Sequence, residues 1–478
     1  MRQPGWRSKR WTAAGDGSLS RPWPQRVRVS ATQEAALPRA AAGRASFAVG
    51  LRELLRSTDW NLSFIGLLVY VFAVISYEVP VARPAIIVAL LALPLQRHPI
   101  RLPLFVVLLG VTAAWGYLSA FTSAWPEAAR RGAEQLVIVA TVAFVAVNAV
   151  RTLSQTRFFL LFLLGTIALY PVRGALANYF VYGEAPGGRV AWNYIYSNPN
   201  DLAALLLFPL GLCIFLWQAS VRKNWIAWCA LAGAILVPFV IFLSGSRGAM
   251  LGLVFLLGMV FLTGRRRLQV LLVAGTTAVL VLSLAPSTAV QRFLQIGQLG
   301  TDEQQLAQVQ DEGSARQRYE VWRVARRVIA EHPVTGVGPG AYPPAHMVTA
   351  RRAEFDRTAW GNRDAHSTYI TAFAELGIPG GSIFLGAILA AFLALERRRR
   401  RARRHQPRVA HQILVLELGF LSFMVACIFG SFNAVAPFYL YLATMYAAGV
   451  AIADSELQQA AGSHALLRRG ATIGSKRR

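Results

Sequence analysis

The chain has 478 residues, of which 55% are hydrophobic and 15% charged, and its formal net charge is +26. This balance excludes a soluble domain, which needs far more polar surface, and points to a polytopic membrane protein. The Lys and Arg residues cluster in short loops between apolar spans, as they do when a protein orients against anionic lipid, so the charge does not argue for a nucleic-acid partner.

Residues 1–56 read as a basic cytoplasmic tail with eleven Lys/Arg, three Asp/Glu and no sustained apolar run. No apolar core of the secretory type precedes Trp60, and the tail is expected to be without fixed structure. Twelve apolar spans follow, near Trp60–Tyr77, Pro80–Leu95, Leu102–Phe121, Gln135–Val150, Phe158–Phe180, Leu202–Trp217, Trp225–Leu243, Ala249–Thr263, Leu268–Leu284, Ser367–Leu395, Ile413–Phe432 and Pro437–Ala453. The expected fold is therefore all-α, with about 12 transmembrane helices and a large helical periplasmic loop. The second and eighth spans fall short of the ~20 residues that cross a bilayer core. Nine spans lie in 57–285, a periplasmic loop in 286–366, three spans in 367–454 and a second cytoplasmic tail in 455–478. Cys213, Cys229 and Cys427 all sit inside apolar runs and read as small hydrophobes of helix cores.

Loop charge fixes the orientation. With the N-terminal tail inside, the inner loops hold Arg97–Arg101, Arg151–Arg157, Arg222–Lys223, Arg265–Arg267 and Arg397–Arg408, and all are basic. The segment from Pro286 to Ala365 carries ten Arg and nine Asp/Glu, a net of only +1, and falls outside. It opens with a solvated piece, TDEQQLAQVQDEG. A helix is then expected from about Ala315 to Glu331, its apolar stripe made by Tyr319, Trp322, Ala325 and Ile329. His332-Pro333 ends that helix and GVGPG makes a tight turn. The Arg-, Gly- and Pro-rich stretch from Gly313 to Gly381 reads as the active-site region of a membrane enzyme.

Within it, His366 stands at the outer lip of an apolar span, where a neutral imidazole could act as a general base; the plainer reading is a helix-start residue bonded to backbone. Arg247, in LSGSRGAM, sits at a membrane boundary, where an ionisable group either has a purpose or snorkels to lipid phosphate. Arg316 and Arg318 head the outer helix and could grip phosphate oxygens with their forked donors, or simply be solvated. Arg189 lies in an outer loop before NYIYSNPND, where Asn200 or Asp201 is expected to cap the next span. No outer loop holds a DxD pair, and HExxH, G-x-x-x-x-G-K-[ST] and CxxC are all missing, so no cofactor or carboxylate-held metal is expected. A lone GVGPG is weak evidence for phosphate binding.

Four motifs together, SNPND at 197–201, SGSRG at 244–248, RYEVWRVARRVIAEHPVTGVGPGAY at 318–342 and AHSTYITAFAELGIPGG at 365–381, resemble in order and spacing the O-antigen ligase superfamily of bacterial inner-membrane enzymes. That superfamily also holds O-antigen polymerases and protein-directed oligosaccharyltransferases. The resemblance covers roughly Trp60 to Ala453. It implies a metal-independent, inverting transfer of a glycan from undecaprenyl pyrophosphate to an acceptor hydroxyl, which in ligases belongs to a sugar of lipid A–core oligosaccharide. It also implies an inner-membrane protein, surrounded by lipid, with its active site on the periplasmic side. His366 matches the family's loop histidine and Arg247 the arginine of its SRG motif. Arg318 matches the arginine four residues before the tryptophan, with Arg316 close enough to keep that assignment open. Polymerase and protein oligosaccharyltransferase remain alternatives. A polysaccharide flippase or other transporter would be expected to show internal repeats and mid-membrane charges; no obvious repeat is seen, and the arginines lie at span ends.

Overall fold

A computed structural model describes residues 51–475, apart from 78, 186–187, 221–223, 265–266, 286–289 and 291–314. Side chains of residues 51, 315–316 and 456–475 are outside the described set as well. Most of the N-terminal tail, the solvated piece at 301–313 and the Arg222–Lys223 loop thus lie outside the described residues.

Among the described residues the chain is all helical. Helices α1 (Leu51–Ser57), α2 (Leu62–Ile75), α3 (Ala82–Leu91), α4 (Leu104–Phe121) and α5 (Pro126–Ala149) come first. They are followed by α6 (Leu153–Tyr182), α7 (Pro199–Ala219), α8 (Trp225–Leu243), α9 (Arg247–Thr263) and α10 (Arg267–Leu284). The segment expected to lie outside contributes α11 (Ala315–Glu331) and α12 (Tyr342–Thr349), and the chain finishes with α13 (Thr368–His405), α14 (Pro407–Ala426) and α15 (Ala436–Ser475). Each of the twelve expected spans coincides with one apolar helix. Nine are long and apolar enough to cross a membrane; α2, α3 and α9, with 14, 10 and 17 residues, are shorter. The protein is a multi-pass membrane protein.

The differences from expectation have local causes. α5 starts nine residues before its apolar window, with Pro126 at its head and i,i+4 pairs Arg130–Glu134 and Arg131–Glu127 supporting the polar first turns. α13 runs ten residues past Leu395, where Glu396 pairs with Arg399 and Arg400. The end of the expected tail forms α1, which packs on α6. Cys213 and Cys427 are buried as expected, but Cys229 is exposed on α8.

α7 and α15 are the central helices. Of their apolar windows 89% and 94% is buried, against 11% for α10 at the periphery. α7 packs closely on α14 because two glycines meet: a Cβ built on Gly211 would lie 2.4 Å from Gly419 Cα. Gly211→Val is therefore expected to force α7 and α14 apart and cost ~1–3 kcal/mol. A thermal melt of purified protein that matches wild type would refute this close packing.

α13 breaks at Gly377 (φ 68, ψ −177), just before Pro379. The break frees backbone carbonyls, and the outer segment and α4 supply donors to them. Val337 N–H donates to Ala374 O, Gly338 N–H to Glu375 O and Trp115 Nε1–H to Leu376 O. The buried Glu375 carboxylate accepts from the N–H groups of Gly340 and Tyr342 and from Asn433 Nδ2. Gly336, Gly338 and Gly340 all have positive φ, and a Cβ on Gly336 would lie 2.4 Å from the Glu375 carbonyl carbon. The GVGPG turn thus plugs the kink in α13, and its N–H groups are spent on protein rather than on a phosphate.

The helix α11 exists as expected, but its buried stripe is Val321, Val324, Ala325 and Val328. This face is rotated by roughly a quarter turn from the expected one, and Tyr319 is 58% exposed. Val324, Ala325 and Val328 join Val337, Ala341, Tyr342 and Ala345 in a small core separate from that of the bundle.

Candidate active site

All four sequence motifs meet near the N-terminal ends of α7, α9 and α13, where α11 packs on α13. Their meeting point is Phe429, in the turn between α14 and α15. Gly248, of SGSRG, packs on its ring so closely that a Cβ there would lie 2.8 Å from Cδ2. The Arg318 guanidinium lies over the same ring at 5.9 Å, and Trp322 stacks on it at 6.4 Å with a 24° interplanar angle. Arg318 and Trp322 are one helical turn apart and so share a face of α11. A narrow pocket opens here, lined by Asn200, Asp201, Ser246, Arg318, Phe429, Gly430 and Phe432.

The charges around this pocket are unbalanced. Arg247 is exposed at the first position of α9, behind the cap Ser246, where the helix dipole disfavours a cation. Its charged neighbour is Arg318. Burial first, and Arg247 second, lower the Arg318 guanidinium below its ordinary value. Its Nε is buried without a hydrogen-bond partner, and no carboxylate pairs with it among the described residues. Two neighbouring guanidinium groups with no carboxylate paired to either among the described residues suit an anionic ligand.

His366 follows on the other side. Its φ is 47°, a left-handed conformation uncommon for a non-glycine residue. The surrounding protein lowers its pKa, Asp364 pulls it back, and Arg318 and Arg363 lower it further. Both His366 and Asp364 are exposed, so water at the mouth screens these effects; the direction still leaves the imidazole neutral and able to take a proton. Desolvation by the surrounding protein raises the Asp364 carboxyl, with His366 lowering it.

The loop holding His366 is pinned along its length. Arg363 Nε donates to Trp360 O at 2.8 Å, and Trp322 Nε1 to Ala365 O at 2.9 Å. The buried His346 of α12 bonds through Nδ1 to Gly361 O at 3.2 Å. Beyond the histidine, Thr368 N donates to Cys427 O and Thr368 Oγ1 to Gly430 O.

Arg189 is placed differently from the other candidates. Its Nε donates to Ser244 O and its Nη2 to Asn200 Oδ1, each at 2.6 Å, so it ties SGSRG to SNPND. Arg316 is in the first turn of α11, and its side chain lies outside the described residues. The cap of α7 is Asn198, which accepts from Asn200 N–H at 2.8 Å, and neither Asn200 nor Asp201; Pro199 fits the first helical position and starts the helix earlier. Asp201 instead lines the pocket, within electrostatic reach of Asp364. Among the described residues no three His, Cys, Asp or Glu side chains cluster as metal ligands.

Sequence reasoning missed Phe429, Asp364 and the two anchors Trp322 and His346. Phe429 sits in an apolar run with nothing local to mark it. Trp322 fits the expected apolar stripe by its period, yet its place four residues after Arg318 puts the two on one face.

A family model described as O-antigen ligase matches residues 232–385. The match includes Arg247, Arg318 and His366 and leaves out Arg189. The search of curated proteins found no match.

Proposed function

We propose that this chain, which belongs to the O-antigen ligase superfamily, is a metal-independent, inverting glycosyltransferase that moves O-antigen polysaccharide from undecaprenyl pyrophosphate to a sugar hydroxyl of lipid A–core oligosaccharide. The observation that carries the reading is the Arg247–Arg318 pair, two neighbouring cations without a carboxylate partner, with His366 close to Arg318. The acceptor hydroxyl attacks the anomeric carbon from the face opposite the pyrophosphate, and its proton passes to His366. The bond to the pyrophosphate oxygen breaks, and charge grows on that oxygen. Arg247 and Arg318 meet this charge more strongly in the transition state than before it, which serves where a metal would otherwise. Arg189 holds the two motif turns in register beside them. Basic inner loops favour a bacterial inner membrane with this site on its periplasmic face. The donor and acceptor both reach the site through the membrane, and holding them side by side supplies much of the remaining rate.

The test is lipopolysaccharide from a deletion strain, resolved on a gel. Core-only lipid with accumulated carrier-linked polymer is the expected result. Core carrying a single repeat would make the chain a polymerase instead, and unchanged lipopolysaccharide would end both readings.

A further inference from the structure

The site holds a histidine in a backbone conformation that histidine does not favour. Such a conformation is strained and lasts only when the surroundings over-determine it. After His366, the main chain is fixed by Thr368 and the start of α13. Before it, the adjacent carbonyl, that of Ala365, accepts a hydrogen bond from Trp322 Nε1 at 2.9 Å. Trp322 is itself locked. It stacks on Phe429, whose other neighbours are Gly248 and the Arg318 guanidinium, and it sits one turn after Arg318 on α11. One rigid piece, Arg318–Phe429–Trp322, therefore sets the position of the peptide that carries His366.

We infer that Trp322 is a positioning residue for His366, its indole N–H fixing the imidazole at a set place relative to the two arginines. This rests on the reading of His366 as the group that accepts the acceptor's proton. A misplacement of ~1 Å at a reacting group costs ~10²-fold, so one hydrogen bond to the neighbouring carbonyl has leverage well beyond its own strength. The inference assigns Trp322 no contact with substrate.

Trp322→Phe keeps an aromatic ring for the stack and removes the donor. In purified enzyme with lipid-linked donor and lipid A–core acceptor, turnover is expected to fall ~10–100-fold while donor affinity changes less than about twofold. Trp115→Phe is the matched control. It deletes a similar indole-to-carbonyl bond, to Leu376 O at 2.8 Å, away from His366, and is expected to keep turnover within about threefold of wild type. The deciding measurement is the double variant. If Trp322 acts through His366, adding Trp322→Phe to His366→Ala costs nothing more. A further loss in that background of the same size as in wild type would make Trp322 merely structural and overturn the inference. So would full turnover in Trp322→Phe alongside a dead His366→Ala. Where Trp322→Phe fails to insert, the isosteric benzothiophene analogue of tryptophan at 322 removes only the N–H and is read the same way. Should His366→Ala itself transfer glycan normally, the functional reading fails first and takes this inference with it.

Discussion

His366→Ala is expected to lower glycan transfer by ~10²–10⁴-fold while leaving the affinity for the lipid-linked donor nearly intact. The asymmetry follows from where the residue sits. His366 lies on the strained loop before α13, whereas the unbalanced positive charge lies on α9 and α11. Removing the imidazole takes away the proton acceptor without touching a guanidinium. The same geometry fixes the pH response. The surrounding protein, Arg318 and Arg363 lower the imidazole's pKa and Asp364 partly restores it. A lowered pKa keeps the neutral form to lower pH, so transfer should hold as pH falls through the ordinary histidine range and drop only below it. Removing Asp364 as Asp364→Asn takes away the restoring charge and should move that drop further toward acid. Turnover and donor binding, measured separately across pH, decide the matter. A His366→Ala enzyme that binds donor poorly but turns over normally would place the histidine on the wrong half of the reaction.

The bundle was readable because its helices announce themselves by composition. Runs such as Trp225–Leu243 are apolar from end to end, and the expected and observed bounds coincide there. Ends supported by polar residues were not readable in this way. The first turns of α5 and the last of α13 are held by ion pairs one turn apart, which hydropathy alone does not register. The stripe on α11 was displaced because Tyr319, Trp322 and Ile329 satisfy a 3.6-residue period as well as Val321, Val324 and Val328 do. Only the fold shows that Trp322 turns aside to meet Ala365 O. The site shows the same division. Arg247 and His366 stood out as ionisable groups at the edges of apolar spans, where such groups are costly, and Arg318 as a forked donor at the head of a polar helix. The surface that assembles them did not. Phe429 is more than one hundred residues from Arg318 and sixty-three from His366, and no local pattern links the three. Asp201 reads in the sequence as a cap candidate for the next span, and nothing local marks Asp364.

Arg318→Ala should remove transfer by ~10²–10³-fold and weaken donor binding at the same time. The guanidinium is half-buried against Phe429, its Nε has no partner, and Arg247 is its charged neighbour. Holding it there is unfavourable for the free protein, so its removal should not lower stability; a melt at or above the wild-type temperature is expected. That outcome separates a ligand-binding arginine from a structural one, whose loss would weaken function and fold together. Arg318→Lys should recover only part of the activity, because a point charge cannot present two parallel donors to phosphate oxygens. The choice of control follows from the same side-chain geometry. Arg323 stands on the same helix but pairs with the buried Glu320 at 3.0 Å and donates to Glu354 O. Arg323→Ala would leave that acid unpaired and cost ~1–3 kcal/mol of stability. Exposed Arg326, on the solvent side of α11, is the neutral comparison, and Arg326→Ala should match wild type in both assays. If Arg318→Ala melts several degrees lower yet still binds donor as wild type does, its charge serves the fold, and the pyrophosphate must be held elsewhere.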